Sequence, residues 1–451
     1  MRSPRKHMLL AAAAALLLAC QTVMGGLPAT PTPTATSQTA PTLPPTATDS
    51  GLQPVATVAP TPTVETYDLP REQQQAIFQE LWEIIRDEYL YPDFNGLDWD
   101  AIHVEYSDRI AAGLSDQAFY FAMDEMIFRL GDEHSVFLSP EMVAAEEAAY
   151  AGSLDYVGIG IYLGGVPERQ RAVIYMVIPG SPAEAAGLKA RDSILTVNGE
   201  PVLDELGYPT DTLRGPEGTD VTIEVQTPGE APREITITRR RITGGLPVPY
   251  EVLTSPDGQR IGYLLIPTFS DGNIDKLVND ALLAMTANGP LDGLIVDDRL
   301  NDGGFDTELR GTLRLFTDGI VGYFVNRQGR EHLNVNARDV GGSQTVPLVV
   351  LVGPETYSYG EVFAGVLADQ GRATIIGETT EGNVETLWGF DFEDGSRAWI
   401  AHDTFEPANH PDADWEATGI VPDILAPSEW DLHTQADDPG ILAALAFFDG
   451  Q

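Results

Sequence analysis

The sequence predicts an α+β protein built from several domains. Its 451 residues are enough for two or three domains that each bury a core of their own. Three patterns follow one another along the chain: helical periodicity over about residues 68–130, glycine-broken strands over about 150–243, and alternating strands and helices over about 260–425. Each change of pattern indicates the start of a separate unit.

The first twenty residues have the pattern of an export signal. Basic residues at positions 2–6 precede the apolar run of residues 8–18, which is too short to span a bilayer. The run ends in Leu17-Leu-Ala-Cys20, which resembles a bacterial lipobox, in which the cysteine is lipidated. Cys20 is the only cysteine, so no disulfide can form within the chain. We therefore expect an extracytoplasmic lipoprotein; the alternative is an ordinary secretory signal with an incidental cysteine.

Residues 21–66 are predicted to be a disordered tether. Pro, Thr, Ala and Ser dominate this segment, which has too few large apolar groups to offset the entropy of ordering. The whole chain has 68 acidic and 26 basic residues, a formal net charge of −42. Such a chain repels nucleic acid and anionic lipid. We therefore expect no nucleic-acid partner, and membrane attachment only through a lipid at Cys20.

Residues 67–149 are predicted to form a helical domain. The apolar positions of its first helix recur at three- and four-residue steps: Ile77, Leu81, Trp82, Ile85 and Tyr89. Further helical patterns cover about residues 99–110 and 116–130, and the last of them ends at Gly131. His134 lies in the turn that closes the unit. A histidine in a loop is most often a surface residue, so this position needs support from elsewhere.

Residues 150–243 are predicted to form a small β-rich module. Its expected elements are three strands and a short helix: strands 156–161, 172–178 and 192–199, and helix 181–188. Asn198-Gly199 suits a type I′ turn. The order of these elements, with Leu213–Val221 before the closing strands, resembles a PDZ domain. The resemblance implies that backbone N–H groups hold a peptide carboxylate at Val157, Gly158, Ile159 and Gly160. Alternatively, the module only gates its neighbour.

Residues 244–428 are predicted to form an α/β core, followed by a tail over 429–451. The expected strands and helices alternate: strands 261–266, 293–296 and 348–352, and helices 274–287, 309–317 and 361–368. The turn Asp297–Gly304 follows the second strand, and its two glycines permit close approach of backbone N–H groups to an anion. The turn Gly353–Glu361 presents Ser358 beside a helix amino terminus, where developing negative charge is favoured. Alternatively, Ser358 is simply a helix cap.

Five motifs in this order resemble the carboxyl-terminal processing peptidase and tricorn family of serine proteases. They are the helical unit ending in Gly131-Asp-Glu-His-Ser135, the PDZ-like module, the turn Asp297–Gly304, the turn Thr356–Glu361 and the terminal Gly419–Asp423. The resemblance covers about residues 70–425. It implies a helical amino-terminal domain, an inserted PDZ domain and a crotonase-like or ClpP-like α/β peptidase core. It also implies that Ser358 is the nucleophile.

The resemblance offers two choices of general base. The processing branch uses a lysine in a Thr-Phe-Gly-Lys motif, but the corresponding stretch here is Thr380-Glu-Gly-Asn383, and asparagine cannot accept a proton at neutral pH. The chain has only three lysines, and each lies elsewhere: Lys6, Lys189 and Lys276. The tricorn-like branch uses histidine and glutamate, and His134 and Glu416 fill those positions. His402 is the rival base.

The predicted function is that of a secreted, membrane-anchored serine endopeptidase that cleaves peptides or unfolded segments by acyl transfer. The oxyanion would bind the N–H groups of Tyr359 and Gly304, with Gly303 as the alternative donor. No cofactor or metal is expected, because no run of His, Cys and carboxylates has metal-ligand spacing. The alternatives are an inactive relative that binds polypeptide carboxyl-terminal tails through the PDZ-like module, and a binder of small hydrophobic molecules. The sequence makes no prediction of oligomeric state.

Overall fold

The computed structural model describes residues 69–132, 134–151 and 154–450. The predicted signal peptide, the tether and Cys20 lie outside the described residues. Among the helices of the described part, none is long and apolar enough to cross a lipid bilayer.

The amino-terminal unit is helical, as predicted. Its elements are α1 (Arg71–Glu88), α2 (Trp99–Ala112), α3 (Asp116–Phe128), the short strand β1 (Val136–Leu138) and α4 (Pro140–Tyr150). Side-chain caps fix two of the helix starts, because Asp98 accepts from Ala101 N–H and Ser115 from Ala118 N–H. The predicted apolar stripe of α1 is buried in the core of this unit. Helix α3 ends two residues earlier than predicted, at Phe128.

The second unit is the β-rich module. Its elements are β2 (Leu154–Gly158), β3 (Ile161–Val166), β4 (Arg171–Val177), α5 (Pro182–Ala185), β5 (Ser193–Val197), β6 (Glu200–Pro201), β7 (Asp220–Gln226), β8 (Arg233–Thr238) and β9 (Arg240–Gly244). The sequence predicted one strand over 156–161, but Gly160, at φ +85°, divides it into β2 and β3. Strand β2 pairs with β9, whereas β3 belongs to the sheet β3-β4-β5-β7-β8. Asn198 and Gly199 both have positive φ, as the predicted turn requires.

The third unit contains two sheets. Its strands are β10 (Tyr250–Thr254), β11 (Arg260–Leu265), β12 (Gly293–Asp297), β13 (Gly319–Val325), β14 (Arg330–Val335), β15 (Leu348–Val352), β16 (Thr374–Gly377), β17 (Thr386–Asp391), β18 (Arg397–Pro407) and β19 (Ile424–Leu425). Its helices are α6 (Ile274–Thr286), α7 (Asp306–Leu313), α8 (Tyr359–Asp369), α9 (Trp415–Thr418) and α10 (Pro439–Asp449). One sheet has the order β10-β11-β12-β15-β16-β19 and is parallel apart from β10. The other, which the sequence did not predict, has the order β1-β18-β13-β14 with β17 beside β18.

The parallel sheet is buried on both faces, which explains why its strands are apolar almost without alternation. Helices α6, α7 and α8 cover one face, formed by Leu264, Leu294, Val296, Leu348, Val350 and Val352. Helix α10 covers the other face, formed by Ile261, Tyr263, Leu265, Ile295, Val349 and Leu351. The α+β multidomain class predicted from sequence is therefore confirmed.

Residues 429–450 of the predicted tail 429–451 contain helix α10, which packs on the core. Ile441 and Phe448 are buried against the sheet. Asp438 caps the helix through Ile441 N–H, and its carboxylate also binds Arg299 and Arg191. The sequence did not indicate this docking, because one short apolar helix carries no information about the face it will cover.

The helical unit joins the third unit through the antiparallel pair β1 and β18. Val136 lies opposite Trp399, and Leu138 opposite Arg397. Apolar side chains of β18 enter the core of the helical unit: Ala398, Ile400 and Ala401. This pairing fixes the residues immediately before β1, including His134, against the third unit.

Candidate active site

Ser358 occupies a strained turn at the amino terminus of α8. Its backbone has φ +55° and ψ −129°, a conformation that costs a non-glycine residue about 1–3 kcal/mol. Its side chain makes no capping hydrogen bond, and within the described residues its Oγ has no hydrogen-bond partner. The residue is half-buried. The geometry therefore argues against a helix cap and presents a free hydroxyl beside the positive end of a helix.

The glycine turn after β12 lies directly against Ser358. A Cβ added to Gly303 would lie 2.6 Å from Ser358 Cβ and 2.9 Å from Tyr359 N, so only glycine fits there without displacing the serine turn. Gly303 N–H donates to Asn301 Oδ1 at 3.1 Å. Gly304 pairs with Phe269 in an isolated parallel β-bridge. Its two hydrogen bonds run from Phe269 N–H to Gly303 C=O and from Phe305 N–H to Phe269 C=O.

Two of the three predicted oxyanion donors have N–H groups available for a ligand. In the described part of the chain, the N–H groups of Gly304 and Tyr359 make no hydrogen bond. The N–H of Gly303, the alternative donor, is occupied by Asn301. This arrangement suits stabilisation of an oxyanion by Gly304 and Tyr359.

Hydrogen bonds of the preceding Asp132 and the following Ser135 hold the His134 turn in place. Its backbone N–H donates to Asp132 Oδ1 at 3.0 Å, and Ser135 Oγ donates to Asp132 Oδ2 at 2.7 Å. Ser135 Oγ in turn accepts from Ala401 N–H of β18 at 2.9 Å. The pairing of β1 with β18 thus continues into the turn that carries the histidine.

Glu416 contacts His134, although the two residues are 282 positions apart in the sequence. Its Oε1 lies 3.1 Å from His134 Nε2, and its Oε2 accepts from Val384 N–H at 2.8 Å. Burial by itself lowers the pKa of His134, but the hydrogen bond to Glu416 and nearby carboxylate charges outweigh it, so the pKa is raised above its ordinary value. The site therefore stabilises the imidazolium form of His134.

The buried Glu361 links the serine helix to the loop Thr380–Asn383. Its carboxylate accepts from Thr380 Oγ1, from Gly382 N–H at 2.8 Å and from Asn383 N–H at 2.7 Å. Burial raises the pKa of Glu361 to about 7, although these hydrogen bonds favour its charged form. Asn383 thus contributes its backbone to the site's architecture, and within the described residues its side chain makes no hydrogen bond.

Glu385 is a residue of this site that the sequence reasoning missed. Its Oε2 lies 3.8 Å from His134 Nε2, its side chain is 3% exposed, and its other oxygen accepts from Tyr91 Oη. Burial raises the pKa of Glu385 to about 7, against the lowering effect of His134. Its position two residues after Asn383 was the available signal, but nothing in the sequence distinguishes it from a solvated loop carboxylate.

Ser358 and His134 are not joined by a hydrogen bond in the described part of the chain. Glu416 contacts His134 Nε2, so among the described residues Nδ1 is the ring nitrogen left without a partner. The rival base His402 is buried elsewhere: its two ring nitrogens face Asp403 at 3.1 Å and Glu88 at 3.3 Å, and it stacks on Trp388. Its surroundings are those of a structural histidine.

The predicted carboxylate loop of the PDZ-like module runs between β2 and β3. Val157 and Gly158 belong to β2, and Val157 C=O accepts from Gly215 N–H. The carbonyls of Ile159 and Gly160 accept from Ala183 and Ile178, respectively. Within the described residues, the N–H groups of Ile159 and Gly160 donate no hydrogen bond, as a carboxylate-binding loop requires.

Comparison with protein-family models matches three parts of this chain. The model for peptidase family S41 matches residues 260–426, the tricorn protease C1 domain matches residues 70–128, and a PDZ domain matches residues 173–227. These matches correspond to the third, first and second units of the structure.

Similar proteins are found among curated and solved chains. The chain is 33% identical over 360 residues to a carboxyl-terminal-processing protease of Synechocystis sp., which covers 78% of this chain and 80% of that protein. It is 30% identical over 370 residues to a chloroplastic C-terminal processing peptidase of Tetradesmus obliquus, which covers 78% and 77%. The solved photosystem II D1 C-terminal processing protease is 27% identical, with a TM-score of 0.54, over 82% of this chain and 97% of that chain.

The strain at Ser358 predicts an unusual effect of glycine. Ser358→Gly should raise the free energy of unfolding by about 1 kcal/mol, because relief of about 1–3 kcal/mol of strain exceeds the added entropy of the unfolded chain. Ser358→Ala should give no such gain. The control is Ser115→Gly, which removes a true cap and should lower stability by a few tenths of a kcal/mol. Urea unfolding measures all three, and a loss in Ser358→Gly matching that of Ser115→Gly would mean that Ser358 is a cap.

Proposed function

The chain belongs to peptidase family S41, the carboxyl-terminal processing proteases, and on that basis we propose that it is an endopeptidase with a Ser358–His134–Glu416 triad. Membership makes it a serine-type peptidase. The observation that carries the finer proposal is the 3.1 Å contact between His134 and Glu416, which come from separate units of the fold. Removing the carboxylate of Glu416 or the imidazole of His134 should therefore abolish the reactivity of Ser358.

The proposed reaction is acyl transfer through Ser358. His134 Nδ1 accepts the proton of Ser358 Oγ as that oxygen attacks the peptide carbonyl, while Nε2–H remains bonded to Glu416. The N–H groups of Gly304 and Tyr359 bind the resulting oxyanion. The imidazolium then protonates the leaving amine, and a water molecule activated by His134 hydrolyses the acyl-enzyme.

We interpret the observed arrangement as the resting state of the proposed triad. Because Ser358 Oγ and His134 are not hydrogen-bonded, their approach must accompany substrate binding, as is common when catalytic contacts tighten only in the complex. The composition of the site supports histidine as the base. The loop position of the family lysine is occupied by Asn383, whose backbone N–H instead holds Glu361.

The proposed substrates are peptides and unfolded segments, with their carboxyl termini bound by the PDZ domain. Two observations support this. Within the described residues the N–H groups of Ile159 and Gly160 donate no hydrogen bond, and the relatives are named a carboxyl-terminal-processing protease and a C-terminal processing peptidase. A terminal carboxylate bound there, with the peptide added along the module's strand edge, would hold the chain near the core.

We also propose that the protein is exported and anchored to a membrane by lipid at Cys20. The support is the basic start, the apolar run of residues 8–18 and the lipobox-like Leu17-Leu-Ala-Cys20. The acidic chain offers no electrostatic attraction to anionic lipid.

A fluorophosphonate probe tests the triad. Wild type should be labelled at Ser358, and the rate should fall as pH drops through a pKa above the ordinary histidine value of about 6.5, because only neutral His134 can accept the proton. His134→Ala and Glu416→Gln should lower the labelling rate and kcat/KM on an unfolded protein, His134→Ala by about 10³-fold or more.

The matched control is His410→Ala, which removes an exposed histidine and should leave both rates within about twofold. A wild type inert to the probe would favour the alternative of an inactive peptide-binding relative. Labelling that survives His134→Ala unchanged would show that another group is the base.

Peptide binding to the Ser358→Ala protein tests the PDZ role. A peptide with a free carboxyl terminus should bind at least about tenfold more tightly than its amidated form, because amidation removes the charge that the loop N–H groups hold. Acetylation of the amino terminus should have no effect. Equal affinities for the free and amidated peptides, measured by calorimetry, would contradict this role.

Detergent phase separation tests the anchor. Wild type expressed in a bacterium that lipidates proteins should enter the detergent phase, and Cys20→Ser should move to the aqueous phase because it lacks the acceptor thiol. Recovery of wild type in the aqueous phase would mean that Cys20 is not lipidated.

A further inference from the structure

His134, Glu385 and Glu416 form a compact cluster with the composition of a metal-binding site. One potential ligand atom from each residue lies within 4.8 Å of the other two. His134 Nε2 is 3.1 Å from Glu416 Oε1 and 3.8 Å from Glu385 Oε2. The three residues come from three separate segments, so their spacing in the sequence gave no indication of the cluster.

The spacing suits a tetrahedral ion. Zinc binds imidazole nitrogen and carboxylate oxygen at about 2.0–2.2 Å, which places neighbouring tetrahedral ligands about 3.3 Å apart. The two distances from His134 Nε2 fall on either side of this value, and all three ligand atoms lie within 4.8 Å of one another, so adjustment of the side chains is needed to bring them to one ion. Three protein ligands leave a fourth position open for water.

The second observation that points to a ligand is the unpartnered oxygen of Glu385. Within the described residues its Oε2 accepts no hydrogen bond, and the whole residue is only 5% exposed. The opposite oxygen is held by Tyr91 Oη, which aims Oε2 towards His134. A buried carboxylate oxygen without a donor is costly, and a cation would satisfy it.

One member of the cluster faces solvent. Glu416 is 27% exposed at its side chain and, together with Tyr91 and Trp415, lines an open cavity of about 440 Å³. Two carboxylates also balance the charge of a divalent cation bound with neutral imidazole.

We propose that His134, Glu385 and Glu416 bind a divalent zinc-type cation that switches the peptidase off. The inhibitory half of this inference rests on the proposed triad, whereas the binding half does not. An ion on Nε2 requires that nitrogen to be deprotonated, and the one remaining proton of the neutral ring must then lie on Nδ1. Nδ1 can no longer accept the proton of Ser358, and Glu416 is withdrawn to the ion.

Binding is tested in the full-length Ser358→Ala protein, so that activity plays no part. Titration with Zn²⁺ by calorimetry should show one site, and Co²⁺ should give the intense visible absorption of a tetrahedral complex. Glu385→Gln keeps the shape and the Tyr91 contact but removes the charge, and should weaken Zn²⁺ binding at least tenfold. Glu381→Gln, a carboxylate of the same loop outside the cluster, is the matched control and should bind as the parent does.

Inhibition is tested separately with the Ser358 enzyme. Zn²⁺ should inhibit it reversibly, with a chelator restoring the rate, and Glu385→Gln should need at least tenfold more Zn²⁺ relative to its own metal-free rate. Absence of binding, or binding unchanged by Glu385→Gln, overturns the inference. Binding at the cluster without inhibition overturns the switch, and an enzyme inactive without metal refutes the triad while leaving the binding result intact.

Discussion

The buried carboxylate of Glu361 is the interaction on which the site depends. It lies three residues after Ser358 and holds the loop of Thr380–Asn383 through three hydrogen bonds. The next two backbone N–H groups of that loop hold Glu416, which holds His134. A continuous series of hydrogen bonds thus runs from the serine helix to a histidine in another unit. The loop therefore acts through its backbone N–H groups, which hold the two carboxylates of Glu361 and Glu416 in place.

Much of the fold could be predicted because its signals are local. The apolar stripe of α1, the glycine turns and the strand β15 depend on periods and turn residues within a few positions. The second sheet could not be predicted, because β18 pairs with β1 across more than 250 positions and the sequence of neither strand indicates which strand it pairs with. Helix α10 was missed for the same reason: its apolar face is visible in the sequence, but the sheet it covers is not.

Some residues of the site could also be predicted from the sequence, and others could not. Ser358, His134 and Glu416 could be named because they stand in motifs that resemble a family, and the fold brings the last two together at 3.1 Å. Glu385 stands in no motif, and its importance comes only from burial and from the 3.8 Å approach to His134. The strain at Ser358 is likewise a property of the folded turn, since a serine before a helix ordinarily indicates a cap. Chemistry that depends on long-range approach must be observed in three dimensions.

The pairing of β1 with β18 also sets an order of assembly during synthesis. His134 emerges first, Ser358 follows after 224 residues, and Glu416 emerges last of the three. Until residue 401 has been made, the histidine turn has only its local bonds to Asp132, because the bond from Ala401 N–H to Ser135 Oγ cannot form. The contact between His134 and Glu416 therefore forms only after nearly all of the chain has left the ribosome.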